Sequence, residues 1–172
     1  MIWAKSRSAA GEPWYVFHTS LGTNKRIFLN QTNAVGTSDD GFWTTAPTST
    51  EFSVAYNGTN KNDGEFIAYV FGSLNGISKA GSFSHTNGSS TDVDCGFSSG
   101  SMLVIVKRTD STGDWYYWDS SRGIVSGNDP YLLINSSAAQ NSSYDYIDPL
   151  NSGFQIASGF TTGDYIFYAI AS

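Results

Sequence analysis

Two pairs of acidic residues stand at spacings that could cleave a glycosidic bond. Asp92 and Asp94 are two apart, which puts both on one face of a strand, and Asp145 is followed by Asp148 in a Tyr-rich stretch before Pro149. Glycoside hydrolysis needs two carboxyl groups roughly 5–10 Å apart on either side of a sugar bond. The first pair flanks a strand start and the second lies in loop-like sequence, so turn or solvated carboxylates are the better reading of both. The two histidines, His18 and His85, are far apart and lack acidic or cysteine neighbours at ligand spacing, so no zinc site is assigned. No serine sits in a G-x-S-x-G turn that would expose it as a nucleophile.

Oxygen ligands crowd Ser38, Asp39 and Asp40, and again Asn57, Asn60, Asn62, Asp63 and Glu65. Neither stretch has the D-x-D-x-D-G register of a calcium loop, and hairpin-turn chemistry accounts for both. The expectation is therefore a chain with no catalytic residue, no metal and no cofactor. Aromatics in loop-like stretches are the remaining candidates: Phe42, Trp43, Tyr144 and Tyr146. Three readings stay open for these four, namely loop packing, a subunit interface and a platform for stacking sugar rings.

The elements that would position these residues are strands. Aromatics make up 15% of the 172 residues and charged residues only 14%, with 18 glycines, a usage that suits pleated, half-buried surfaces joined by tight turns. Turn clusters such as Asn62-Asp63-Gly64, Thr86-Asn87-Gly88-Ser89 and Ser111-Thr112-Gly113-Asp114 recur about every 8–12 residues, the rhythm of a β-sandwich. No stretch holds a helical period. Along Phe66–Phe71 and Tyr165–Ile170 apolar side chains fill both alternating faces, so these strands should be covered on both sides.

Charge and cysteine content narrow the function classes. The net charge is −6 and the basic residues form only isolated dipeptides such as Lys25-Arg26 and Lys107-Arg108, which disfavours nucleic acid. The single cysteine, Cys95, reads as a small half-buried apolar residue. Met1-Ile2-Trp3-Ala4 runs directly into Lys5-Ser6-Arg7, with no apolar core of a secretory leader. The apolar runs Met102–Val106 and Tyr165–Ala171 are far short of the roughly 20 residues that cross a bilayer. No membrane partner and no cleaved leader are expected.

The sequence also repeats itself. Met1-Ile2-Trp3-Ala4-Lys5 and Trp14-Tyr15-Val16-Phe17 return as Leu103-Val104-Ile105-Val106-Lys107 and Trp115-Tyr116-Tyr117-Trp118. Ile27-Phe28-Leu29-Asn30 returns as Leu132-Leu133-Ile134-Asn135, Phe52-Ser53-Val54-Ala55 as Phe154-Gln155-Ile156-Ala157, and Gly64–Ser73 as Gly163–Ser172. A repeat of this kind predicts one structural unit used twice, over 1–73 and 74–172. The second unit opens with a hairpin, Ser78–His85 and Asp92–Phe97, that the first lacks. The first unit must then be completed by the second half or by a neighbouring chain, because proteins cover open sheet edges.

Gly81-Ser82-Phe83-Ser84-His85, Cys95-Gly96-Phe97, the stretch Val106-Lys107-Arg108-Thr109-Asp110-Ser111-Thr112-Gly113-Asp114-Trp115, Asp119-Ser120 with Arg122, and Gly163-Asp164-Tyr165-Ile166 together resemble a repeated module of tailed-phage virion structural proteins. The resemblance extends over nearly the whole chain. It implies an all-β, antiparallel β-sandwich of jelly-roll or concanavalin-like type, here built from two pseudo-repeats packed as one continuous body. It further implies a non-enzymatic protein on the virion, made in the host cytoplasm, serving as head decoration or tail-fibre component and aiding attachment to the host surface. Its partners would be other virion proteins or copies of itself, and host-surface glycan if the alternative of a carbohydrate-binding module holds. Asp119 and Arg122 are expected to close a turn as an ion pair.

Overall fold

The computed structural model describes residues 1–37, 42–55 and 58–172, and within them the chain is all β. In chain order the strands are β1 (Ile2–Ser6), β2 (Tyr15–Phe17), β3 (Lys25–Phe28), β4 (Gly36–Thr37), β5 (Phe66–Val70), β6 (Ser78–His85), β7 (Thr91–Asp94), β8 (Ser101–Arg108), β9 (Trp115–Asp119), β10 (Leu132–Leu133), β11 (Ile147–Leu150), β12 (Gly153–Ile156) and β13 (Gly163–Ala171). They form three antiparallel sheets in the orders β4-β3-β2-β1-β5, β10-β9-β8-β13-β6 and β11-β12-β7.

The first two sheets are wired alike. Ile2 lies opposite Val70 and Trp3 opposite Tyr69 in the first sheet, as Val104 lies opposite Ala169 and Ile105 opposite Tyr168 in the second. Trp3 faces Val16 as Ile105 faces Tyr117, and Val16 faces Ile27 as Tyr117 faces Leu132. A side-chain bond is shared too: the Trp14 N–H donates to Asn30 Oδ1, and the Trp115 N–H to Asn135 Oδ1.

Strict alternation sorts the side chains into layers, because neighbours along a strand point to opposite faces. On β13, Tyr165, Phe167 and Ala169 join Val104, Val106 and Trp118 against Val93, Ile147, Phe154 and Ile156 of the third sheet. The intervening Ile166 and Tyr168 turn the other way and meet Met1, Val16, Ile27 and Leu29 of the first sheet, with Ile105 and Trp115. The second sheet is thus the middle layer, covered on both faces as its two-sided apolar strands require. The outer face of the first sheet, Ile2, Ala4, Tyr15 and Phe17, is closed by Phe42 and Trp43. Trp115 and Trp118 are almost wholly buried. Hiding a side chain of that size contributes on the order of 5 kcal/mol.

Three details depart from the sequence expectation. Ser78–His85 and Thr91–Asp94 do not pair as a hairpin: β6 runs beside β13 and β7 beside β12, so the turn through Asn87 and Gly88 carries the chain from one sheet to another. Gly88 takes φ +93° there, and its N–H bonds Ser158 O. Residues 52–55 form no strand, whereas their sequence counterpart β12 lies between β7 and β11. Among the described residues that segment has no β7 equivalent to pair with. Lastly, β5, expected from its two-sided apolar pattern to be covered on both faces, is an edge strand with Ile67, Tyr69 and Val70 exposed, while among the described residues the second half stacks against the face of the first sheet.

Candidate functional site

The loop-like aromatics divide into two groups. Phe42 and Trp43 present no surface, at 4% and 2% exposure. The Phe42 ring packs 4.9 Å from Tyr15, and the Trp43 ring packs 5.6 Å from Phe17. Of the three readings open for them, loop packing is the one their burial fits, and a glycan or interface contact is not; they lid the outer face of the first sheet. Which face they cover cannot be read from sequence, because the segment around them has no strand period.

Tyr144 and Tyr146 stand differently. They precede β11 and are anchored through their carbonyls, with the Asp129 N–H donating to Tyr144 O and the Ala157 N–H to Tyr146 O. Their rings stack at 5.1 Å and 3°. Tyr146 in turn packs on Tyr131 and Phe160, and Tyr131 on Trp118, so an aromatic ladder runs from the core to the surface. Burial and the neighbouring tyrosines push the Tyr131 hydroxyl up to about 12. Tyr144, the outermost rung, is 49% exposed. A flat ring held rigidly from below is the geometry on which a sugar face can stack.

The carboxylate pairs are brought together only in part. Asp92 and Asp94 both line an open hollow of about 400 Å³ beside Lys79, Ser82 and Phe83. Each is already engaged: Asp92 accepts from Gln155 Nε2, and Asp94 accepts the Gly96 N–H in a turn. Asp148 lies on β11, while Asp145 sits before it in an exposed stretch. Both lie near Asp129, which the sequence reading passed over. Asp129 is buried; one of its oxygens accepts the Val125 N–H and the other has no partner. Burial, reinforced by the charges of Asp145 and Asp148, raises its carboxyl to about 6.

Of the calcium candidates, Ser38, Asp39, Asp40 and Asn57 lie outside the described residues, and Asn60, Asn62, Asp63 and Glu65 are exposed. Among the described residues no group of three or more His, Cys, Asp or Glu side chains is placed to hold a metal ion. Cys95 is buried, and burial pushes its thiol up to about 12. Asp119 and Arg122 form the expected ion pair, with Asp119 also accepting the Arg122 N–H.

The remaining polar side chains with chemical potential are engaged between layers. Lys107 is wholly buried, and its Nζ donates to Asn33 O at 3.0 Å, Arg108 O at 2.8 Å and Thr32 O at 3.4 Å. Burial lowers its ammonium to about 8. Around it the Gly113 N–H donates to Thr32 O, the Val35 N–H to Thr109 O and Trp115 Nε1 to Phe28 O. The Lys107–Trp115 stretch is therefore a clasp on residues 28–35 of the other half. His18 follows β2 and bonds Phe167 O of β13 through Nε2 at 2.9 Å, while its Nδ1 accepts the Ser20 N–H. A carbonyl can only accept, so Nε2 carries the proton. His85 repeats the scheme, with Nε2 donating to Phe160 O and Nδ1 accepting from Thr91 Oγ1. The sequence held one clue to Lys107: it continues the alternation of Leu103 and Ile105 on the face turned to the first sheet.

Residues 1–172 match the DUF7483 family, described as a domain of unknown function. No curated protein and no solved structure matches the chain.

Proposed function

We propose that this chain, which belongs to the DUF7483 family, is a non-enzymatic structural protein at the surface of a tailed-phage particle, as head decoration or tail-fibre component. The observation that carries the reading is the Lys107–Trp115 clasp. Within the stretch through which the chain resembles virion modules, the Lys107 and Trp115 side chains fasten one sheet layer to the next, the work of a protein whose product is a rigid body and a surface. The halves 1–73 and 74–172 are then two copies of one unit, a reading supported by their identical strand registers. Mass spectrometry of purified particles, with immunogold labelling, tests the assignment: the protein is expected in stoichiometric amount, and its absence from washed particles would sink it.

A second reading, carbohydrate binding, has its own observation in Tyr144, an exposed ring stacked on Tyr146. The two are compatible, since a particle-surface protein that grips glycan would aid attachment. A glycan array with a Tyr144→Ala control decides this point. Binding lost in the variant supports the reading, and no binding at millimolar ligand retires it.

A further inference from the structure

We propose that the open edge of β5 is a docking site for a β-strand donated by another polypeptide, running antiparallel and having the chemistry of β6. The inference stands independently of the virion assignment.

The argument begins with which backbone groups of β5 are free. The Phe71 N–H donates to Met1 O and the Met1 amine to Phe71 O, both at 2.8 Å, and the Arg7 N–H donates to Glu65 O at 2.7 Å. Bonded residues alternate along an antiparallel ladder, so Glu65, Ile67, Tyr69 and Phe71 point toward β1. Phe66, Ala68 and Val70 point their N–H and C=O groups the other way, where none of the described strands lies. The edge also lacks the devices that normally blunt one: from Phe66 to Ile77 there is no charged residue and no proline. Its side chains stay exposed, Tyr69 at 48% and Val70 at 62%.

The second sheet shows what belongs there. Through the shared register, Phe66, Ala68 and Val70 stand where Tyr165, Phe167 and Ala169 stand on β13. Those three lie opposite Phe83, Gly81 and Lys79 of β6. The corresponding strand on β5 would set an aromatic opposite Phe66. Opposite Ala68 the requirement changes. Gly81 is obligatory on β6 because a Cβ there would come 2.6 Å from the Phe167 ring, whereas Ala68 has no ring and leaves room for a side chain. Opposite Val70 a hollow of about 230 Å³ opens, lined by Ile2, Pro47, Phe52 and Val70 and also by Glu51, so a long apolar stem is accommodated and a lysine, as on β6, has an acidic neighbour. The occupant is a strand like β6, with an aromatic opposite Phe66, glycine or a small residue opposite Ala68, a long-stemmed residue opposite Val70 and small residues between, a donor of main-chain bonds as in other strand-addition complexes.

The test grafts a second copy of residues 74–102 ahead of Met1 in the full chain and reads amide hydrogen exchange at Phe66, Ala68 and Val70. In the native chain these amides are expected to exchange freely. In the graft they should slow by about a hundredfold or more, and Ala68→Pro, which removes only an outward N–H, should abolish the gain. Val70→Asp at this exposed position gives the same readout should the proline variant not fold. Unchanged exchange in a graft whose core amides remain protected overturns the proposal. Sedimentation covers the other occupant: a native dimer dissolved by Val70→Asp would give the edge to a second copy of this chain, and that too overturns it.

Discussion

His18 makes the cohesion of the two larger sheets dependent on pH. Burial lowers its imidazole from 6.5 to about 4, against a smaller opposing effect of the bond to Phe167 O. The folded chain therefore holds His18 neutral at pH values where the unfolded chain protonates it. Between 6.5 and 4 the unfolded state binds one more proton at this site, so stability falls as pH falls, by about 1.4 kcal/mol per pH unit. The whole contribution, about 3 kcal/mol, is present above 6.5 and gone below 4. The damage is local in origin. A second proton on the ring turns Nδ1 from acceptor to donor, facing the Ser20 N–H that it now serves. His18→Gln keeps a donor for Phe167 O and cannot titrate. Urea unfolding of both proteins at pH 7.5, 6, 5 and 4 isolates the histidine, because the carboxylates and His85 are common to both. The variant should be less stable by about 1 kcal/mol at pH 7.5, from the lost Ser20 bond, and should overtake the wild type near pH 6, about 0.7 unit below 6.5 at that slope. Parallel stability curves for the two proteins across this range would refute the reasoning.

Other changes address the clasp, the packing and the thiol. Lys107→Met keeps the apolar stem but leaves Thr32, Asn33 and Arg108 carbonyls short of a donor; a loss of about 3 kcal/mol is expected in denaturant unfolding, with exchange rising first in residues 28–35. Gly153→Ala would place a Cβ 2.1 Å from Val93 O and 3.0 Å from Cys95 N, so separation of β12 from β7 at a cost of about 3 kcal/mol should appear as a lowered melting temperature. Cys95, buried with its thiol pushed up to about 12, should react with a thiol reagent only under denaturing conditions.

Much of the layering could be read from alternation. Trp115–Trp118 and Tyr165–Ile170 carry large side chains on both faces and lie in the middle layer, but Phe66–Phe71 has the same pattern and forms an exposed edge strand, so alternation alone does not place a strand between layers. The sequence repeat aligns β1, β2, β3 and β5 with β8, β9, β10 and β13, whose registers agree; the Trp–Asn bonds at Trp14 and Trp115 are visible only in the structure. Where position depended on a distant partner, local pattern failed. In sequence, Phe42 and Trp43 stand open between loop packing, interface and glycan contact because nothing near them marks the sheet face that they cover. Phe52–Ala55 has the pattern of β12 but, among the described residues, no neighbour to ladder with. Ser78–His85 and Thr91–Asp94 look like a hairpin, yet β13 and β12 compete for them with longer or better-matched edges. At the candidate site, Tyr144 and Tyr146 were visible as loop tyrosines, while Asp129 was not, since its burial comes from folding of the loop through Val125 and not from any motif.

β13 has consequences for how the protein bears load. It is nine residues long, ends one residue before Ser172 and is bonded to β6 on one side and β8 on the other. Tension applied through Ser172 along the strand axis strains both ladders in shear, so many bonds must rupture together. Tension applied across β5, which has one ladder of five pairs, opens it bond by bond like a zip. The same body is therefore mechanically anisotropic: stiff toward a tether at its C-terminal strand, and compliant along the β5 margin.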